Sequence, residues 1–134
     1  AIQAEELGIA TVLVPRATVA VDAGFIANPD RVRAQMEGAL VMAMSNTLYS
    51  EITFAAGQVV QSNFRDYSVT RMPAAPRQVD VHLVASEGLP GGVGEPGVPP
   101  AGAAIANAIH AATGIRVREL PVGKQLAGWQ DRKA

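Results

Sequence analysis

One apolar residue in every four, Val32, Met36, Leu40, Met44 and Leu48, with Ala39 and Ala43 beside them, constrains this chain more than any other feature of it. Four-residue steps keep side chains on one side of an α-helix, so the stripe predicts a helix with one face in a core. Its start is written just ahead of it. Asn28 can cap the first amides, Pro29 suits the first helical position, and Asp30 complements the helix dipole. The helix is expected to run to about Leu48. A neighbouring face carries Gln35, Gly38, Met42 and Ser45. A glycine in mid-helix costs roughly 1 kcal/mol against alanine, so Gly38 predicts close packing against the backbone.

A second helix follows from different signals. Pro99 and Pro100 fit a first turn, Ile105, Ala108, Ile109 and Ala112 fall on one face, and Thr113-Gly114 suits a C-terminal stop. The loop ahead of it, Gly91-Gly92-Val93-Gly94-Glu95-Pro96-Gly97-Val98, places a carboxylate between glycines and a proline. Gly92 and Gly94 lack a Cβ, so the backbone there can take positive φ and let another molecule come close, while Pro96 stiffens the chain after the acid. The helix start beside Glu95 is expected to attract anions through unpaired amides and the positive dipole end.

The remaining segments read as strands and connections. Ala1–Gly8 is helix-prone but short, Ile9–Asp22 is a strand interrupted by Pro15, and Tyr49–Phe54 with Gln58–Phe64 make a hairpin around Ala55-Ala56-Gly57. Asn63–Tyr67 has the composition of a structural strand exit, and Arg71–Arg77, with two prolines, that of a linker. Gln78–Ser86 alternates as a half-buried strand, Ile115–Val122 reads as extended, and 123–134 as a polar tail whose Trp129 suggests docking. The expected fold is α+β: one domain over 1–134, with two main helices packed on one face of a small mixed sheet.

Composition excludes several classes. A hydrophobic content of 49% argues against disorder, and a net charge of −1 gives no case for nucleic acid. The chain has no cysteine, hence no disulfide and no thiolate-held zinc or iron–sulfur cluster. The longest apolar run, Ala39–Met44, is far below the roughly 20 residues of a membrane-spanning helix, and no secretory signal pattern opens the chain. His82 and His110, the only histidines, are far apart and read as structural. Compartment, cytoplasmic or periplasmic, is left open.

Gly-Gly-Val-Gly-Glu-Pro-Gly-Val-Pro-Pro, followed by Ala104-Ile105-Ala106-Asn107-Ala108-Ile109 and Ala111-Ala112-Thr113-Gly114, resembles the C-terminal part of a molybdenum hydroxylase large subunit. The family is that of xanthine dehydrogenase and aldehyde oxidase, in the branch of isoquinoline 1-oxidoreductase beta subunits. Asn63-Phe64-Arg65-Asp66-Tyr67 and the Val-Asp-x-Gly turn at 21–24 are similar to it as well, although the family often has cysteine where Ala23 stands. The resemblance runs from about Thr18 to Pro121.

It implies that Glu95 is the catalytic base beside molybdenum, in hydroxylation of N-heterocycles or aldehydes with water-derived oxygen. Gln35-Met36-Glu37-Gly38 resembles the family's Gln-Ile-Glu-Gly, which places Gln35 near the pterin; Val93 and Gly94 are the other cofactor contacts implied. Glu37 is expected to be structural. The implied cofactor is molybdopterin, in its cytosine dinucleotide form. The implied partners are the remaining part of the molybdopterin-binding subunit and an iron–sulfur small subunit, with self-association of the isolated chain. A non-catalytic assembly module derived from the same domain is the alternative.

Overall fold

The Asn28 side chain caps its helix as its type predicts: Oδ1 accepts the Arg31 N–H at 3.1 Å. In the computed structural model, which describes residues 12–126, helix α1 spans Pro29–Leu48. Asn28→Ala leaves an amide of the first turn without this acceptor. We expect a loss of about 1 kcal/mol in urea denaturation, with an unchanged slope.

Every residue of the predicted stripe is buried, with Met44 at 0% and Met36 at 1% exposure. Ser45 is buried beside it, its hydroxyl donating to the Val41 carbonyl and accepting the Thr70 N–H at 2.9 Å. That bond ties the segment after the hairpin to the helix. Gly38 departs from expectation, because a Cβ there would meet nothing within 4 Å. Gly38→Ala should therefore raise the stability of the chain by roughly 0.5–1 kcal/mol, read by thermal or urea unfolding.

Strand β1 spans Arg16–Val21, directly after Pro15, whose carbonyl accepts from the amides of Arg77 and Gln78. The proline thus sits where the ladder begins, donating nothing. The segment Ala1–Gly8 lies outside the described residues. β2 (Phe54–Ala55) and β3 (Gln58–Val59) are two residues each, far shorter than expected. Their turn uses positive φ at Ala56 and Gly57, the two-residue hairpin geometry. All four strand residues are exposed; among the described residues no further strand pairs with them, and the alternating pattern there does not extend the ladder. Phe64, assigned to the second strand, instead opens a 3-10 turn and is 95% exposed, so no packing role for it is found among the described residues.

β4 (Gln78–Leu83) pairs with β1 in parallel, from Arg16 opposite Gln78 to Val21 opposite Leu83. Arg16 and Asp80 bridge across the ladder at 2.7 Å. Hydrogen bonds from Gln78 and Arg16 hold the Asp80 carboxyl below its usual range. Helix α2 (Val98–Thr113) ends on Gly114 in the left-handed conformation, φ 74°. The two helices and the small sheets are the α+β architecture anticipated, with the parallel and antiparallel pairings in separate ladders.

Met44 and Leu48 of α1 meet Ile105 and Ile109 of α2 in the main core. Val122 and Leu126 close it, at 1% and 4% exposure. The Val122 amide also bonds the Thr47 carbonyl at 2.7 Å. Residues 123–126, read from sequence as the beginning of a polar tail, form a 3-10 turn that carries Leu126 into this core. The rest of that segment, with Trp129, lies outside the described residues.

Candidate functional site

Each strand of the parallel pair leads through a loop into a helix: β1 through 22–28 into α1, and β4 through 84–97 into α2. Because the strands are parallel, both loops emerge at the same end. In open parallel sheets the carboxyl ends of the strands are where ligands bind.

The two loops are sewn together. The Phe25 amide donates to the Gly88 carbonyl and the Gly91 amide to the Ala23 carbonyl, both at 2.9 Å. Gly24 between them has φ 66°, and a Cβ there would fall inside the envelope of the Leu89 carbonyl oxygen. Asp22 Oδ1 accepts the Gly24 amide at 3.0 Å and holds the turn. Glycine is required here both for its φ and for its lack of volume. Ala23, whose carbonyl accepts the Gly91 amide, is itself buried at 6% exposure.

Downstream, the Val98 amide donates to the Glu95 carbonyl at 2.9 Å, which makes Glu95–Val98 a hydrogen-bonded turn with Pro96 second and Gly97 third. Proline at the second position and φ −75°, ψ −20° at Gly97 fit type I. The turn continues directly into α2. Glu95 therefore stands on a short arch fixed at Gly91 on one side and at the start of α2 on the other.

Within the arch, Gly92 and Gly94 do not use the positive φ open to them; among the described residues the glycines that do are Gly24, Gly57 and Gly114. What their composition provides is access, since a Cβ at either position would meet nothing within 4 Å. Val93 is half-buried, while Gly94 and Glu95 are exposed. The expected anion site at the start of α2 is also corrected. Val98 has given its N–H to Glu95, and Pro99 and Pro100 have none, so most of the donors that normally bind an anion are missing.

Gln35 is exposed on α1 next to buried Met36, and Met36 touches the start of α2. The fold thus brings the helix of Gln35 to the loop of Val93, Gly94 and Glu95. Glu37 is exposed on that helix. His82 and His110 lie on β4 and α2; His110 Nε2 faces Arg116 Nη2 at 3.0 Å. Among the described residues no group of three or more metal-ligating side chains exists. Sequence reasoning missed Gly24 and Gly97 as site-shaping residues; both had been visible only as turn glycines.

These features describe a domain in which a parallel strand pair and two helices hold a glycine-rich loop with an exposed carboxylate at one end. Residues 6–76 match the molybdopterin cofactor-binding domain. The chain belongs to that family.

It is 41% identical over 117 residues to isoquinoline 1-oxidoreductase subunit beta of Brevundimonas diminuta, covering 87% of this chain and 15% of that protein. A span of that length must include the arch at 91–97. It is 38% identical over 105 residues to a membrane-bound aldehyde dehydrogenase [pyrroloquinoline-quinone] of Gluconacetobacter polyoxogenes, covering 78% of this chain and 14% of that one. Among solved structures, the Cu,Mo-CO dehydrogenase superposes with a TM-score of 0.70 at 20% identity, over 84% of this chain and 15% of that one. The chain therefore spans about a seventh of the length of the relatives it matches.

Proposed function

We propose that this chain is the part of a molybdenum hydroxylase that supplies its catalytic base, Glu95, for hydroxylation of an N-heterocycle or an aldehyde with water-derived oxygen. The observation that carries the reading is the placement of Glu95 on an arch held at both ends, at the carboxyl ends of a parallel strand pair. A bound molybdopterin, in the cytosine dinucleotide form, would supply the two-electron redox chemistry. Gln35, Val93 and Gly94 would hold it: an exposed amide side chain and backbone without an obstructing Cβ suit a group rich in hydrogen-bonding and anionic atoms.

Glu95 itself would hold and release one proton at its carboxylate. A general base must reach the proton it removes and work away from bulk water. The first is met by exposure on the arch. The second requires cover from outside this chain.

Two features support a partner that provides cover. A groove of about 630 Å³ runs between β1 and α2, walled by residues such as Val19, Ala104, Ala108 and Ala112 over Ile105 and Ile109. Leu89, beside the arch, is 93% exposed, and Met72 is 87% exposed. Apolar surface of this kind marks interfaces. The partners proposed are the rest of a molybdopterin-binding subunit, of which 1–134 would be a C-terminal part, and an iron–sulfur small subunit that takes up the electrons. The isolated chain would self-associate. Among the described residues no helix is long and apolar enough to cross a membrane.

The test is elemental and cofactor analysis of the assembled enzyme, followed by assay against a panel of N-heterocycles and aldehydes. About one molybdenum per complex with turnover of a panel member supports the reading. A quinone without molybdenum, as the name of one relative suggests, or assembly without any turnover, as for a non-catalytic module, refutes it.

A further inference from the structure

Gly97 has ordinary helical angles, φ −75° and ψ −20°, that any residue adopts without strain. Its need for glycine is therefore one of space. It is buried, and a Cβ on it would stand 2.8 Å from the Cβ of Ala39 and 3.3 Å from Sδ of Met36. The Ala39 methyl is fixed to the α1 backbone and cannot swing aside. A methyl at position 97 must then push the start of α2 away from α1.

The displacement would not stay at position 97. The Val98 amide is bonded to the Glu95 carbonyl at 2.9 Å, and Pro96 restricts the residue between Glu95 and Gly97, so the turn moves as a unit. The other end of the arch is tied separately, at Gly91 to the Ala23 carbonyl. Deeper in the interface a Cβ at Gly102 would also be crowded, 3.0 Å from the Thr47 hydroxyl, but it would meet no other atom within 4 Å. Of Gly97 and Gly102, Gly97 is the more crowded, and it lies two residues from Glu95.

We propose that Gly97 is a positioning residue: by letting α2 seat directly on Ala39 and Met36, it sets the distance from Glu95 to the face of α1 that carries Gln35. The proposal rests on Glu95 being the base. It makes the contact between two methyl-sized groups a determinant of catalytic geometry. It also predicts that the partner of Gly97 is one specific atom group, the Ala39 methyl, so the loss is repairable from the other side.

The experiment uses the assembled enzyme with Gly97→Ala, Ala39→Gly, both together, and Glu95→Gln. Misplacing a reacting group by about 1 Å can cost about 10²-fold in rate. Gly97→Ala is therefore expected to lower kcat by about that factor, with KM and molybdenum content close to the parent. The double variant, in which the opposing methyl is gone, is expected to recover at least about 10-fold of the loss. A purely structural fault would lower metal content and yield and leave no such kcat–KM split.

Parental turnover in Gly97→Ala overturns the proposal, as does a double variant that keeps its metal but stays as slow as Gly97→Ala. Should Gly97→Ala not accumulate, the double variant decides: recovery of soluble, active enzyme supports the Ala39 contact, and failure overturns it. Parental turnover in Glu95→Gln would remove the base assignment and this inference with it. An inactive Glu95→Gln beside a fully active Gly97→Ala overturns the positioning role alone.

Discussion

Glu95→Gln in the assembled enzyme is expected to lower turnover by about 10²–10⁴-fold while molybdenum content and thermal midpoint stay at parental values. The amide keeps the size and hydrogen-bonding reach of the carboxylate but cannot take up a proton at neutral pH. Neither packing nor a turn depends on the side chain, because Glu95 is exposed and the bond that shapes its turn uses its carbonyl. A change in rate would therefore report on chemistry and not on folding. Steady-state kinetics on the best substrate of the panel, with metal analysis on the same preparation, is the measurement. A variant turning over at near parental rate would show that the proton goes elsewhere.

Gly24→Ala should be the most damaging small substitution for stability. Holding an alanine at φ 66° costs about 1–2 kcal/mol, and the collision of its methyl with the Leu89 carbonyl adds about 1–3 kcal/mol of overpacking. A total of roughly 2–5 kcal/mol is expected in urea denaturation. Relief by backbone movement would break the Phe25–Gly88 or Gly91–Ala23 bond, so the same variant should loosen the arch. Faster hydrogen exchange at the amides of Phe25 and Gly91 would show it. A loss under about 0.5 kcal/mol would mean that the two loops are not held as closely as the structure has them.

Both helices were legible in the sequence because their signals are local. Asn28, Pro29 and the four-residue stripe lie within one element, as do Ile105, Ile109 and Gly114 within the other, and each is found where expected. The strands were legible as extended segments and the hairpin as a pair, but not the pairing of β1 with β4. The pairing of Arg16 with Gln78 depends on how α1 and the hairpin fold back, which no window along the chain contains. The hairpin is shorter than its alternation suggests, and among the described residues no further strand extends its ladder.

At the site, the loop and the turn were legible, and the spatial role of the glycines was not. Glu95 stands on a loop, as expected, yet Gly92 and Gly94 provide access and not unusual φ. The proline pair that announces α2 also removes the donors that its N-terminus was expected to offer. Gly97 could not be read at all, since its requirement is set by a methyl group on another helix. Family resemblance located the loop; geometry explains what holds it.

The parallel pairing of β1 with β4 also has a consequence for how the molecule forms. Arg16 and Asp80, which bridge that ladder, are 64 residues apart in the chain. Closing so long a segment costs conformational entropy before any strand bond is gained, so such contacts come late. α1 and the turn at Ala56-Gly57 can form from neighbours alone. The stitches between Phe25 and Gly88 and between Ala23 and Gly91 can close only after the strands have met. The arch that carries Glu95 is then among the last parts of the chain to acquire its shape during folding, and among the first to lose it when the strand pair opens.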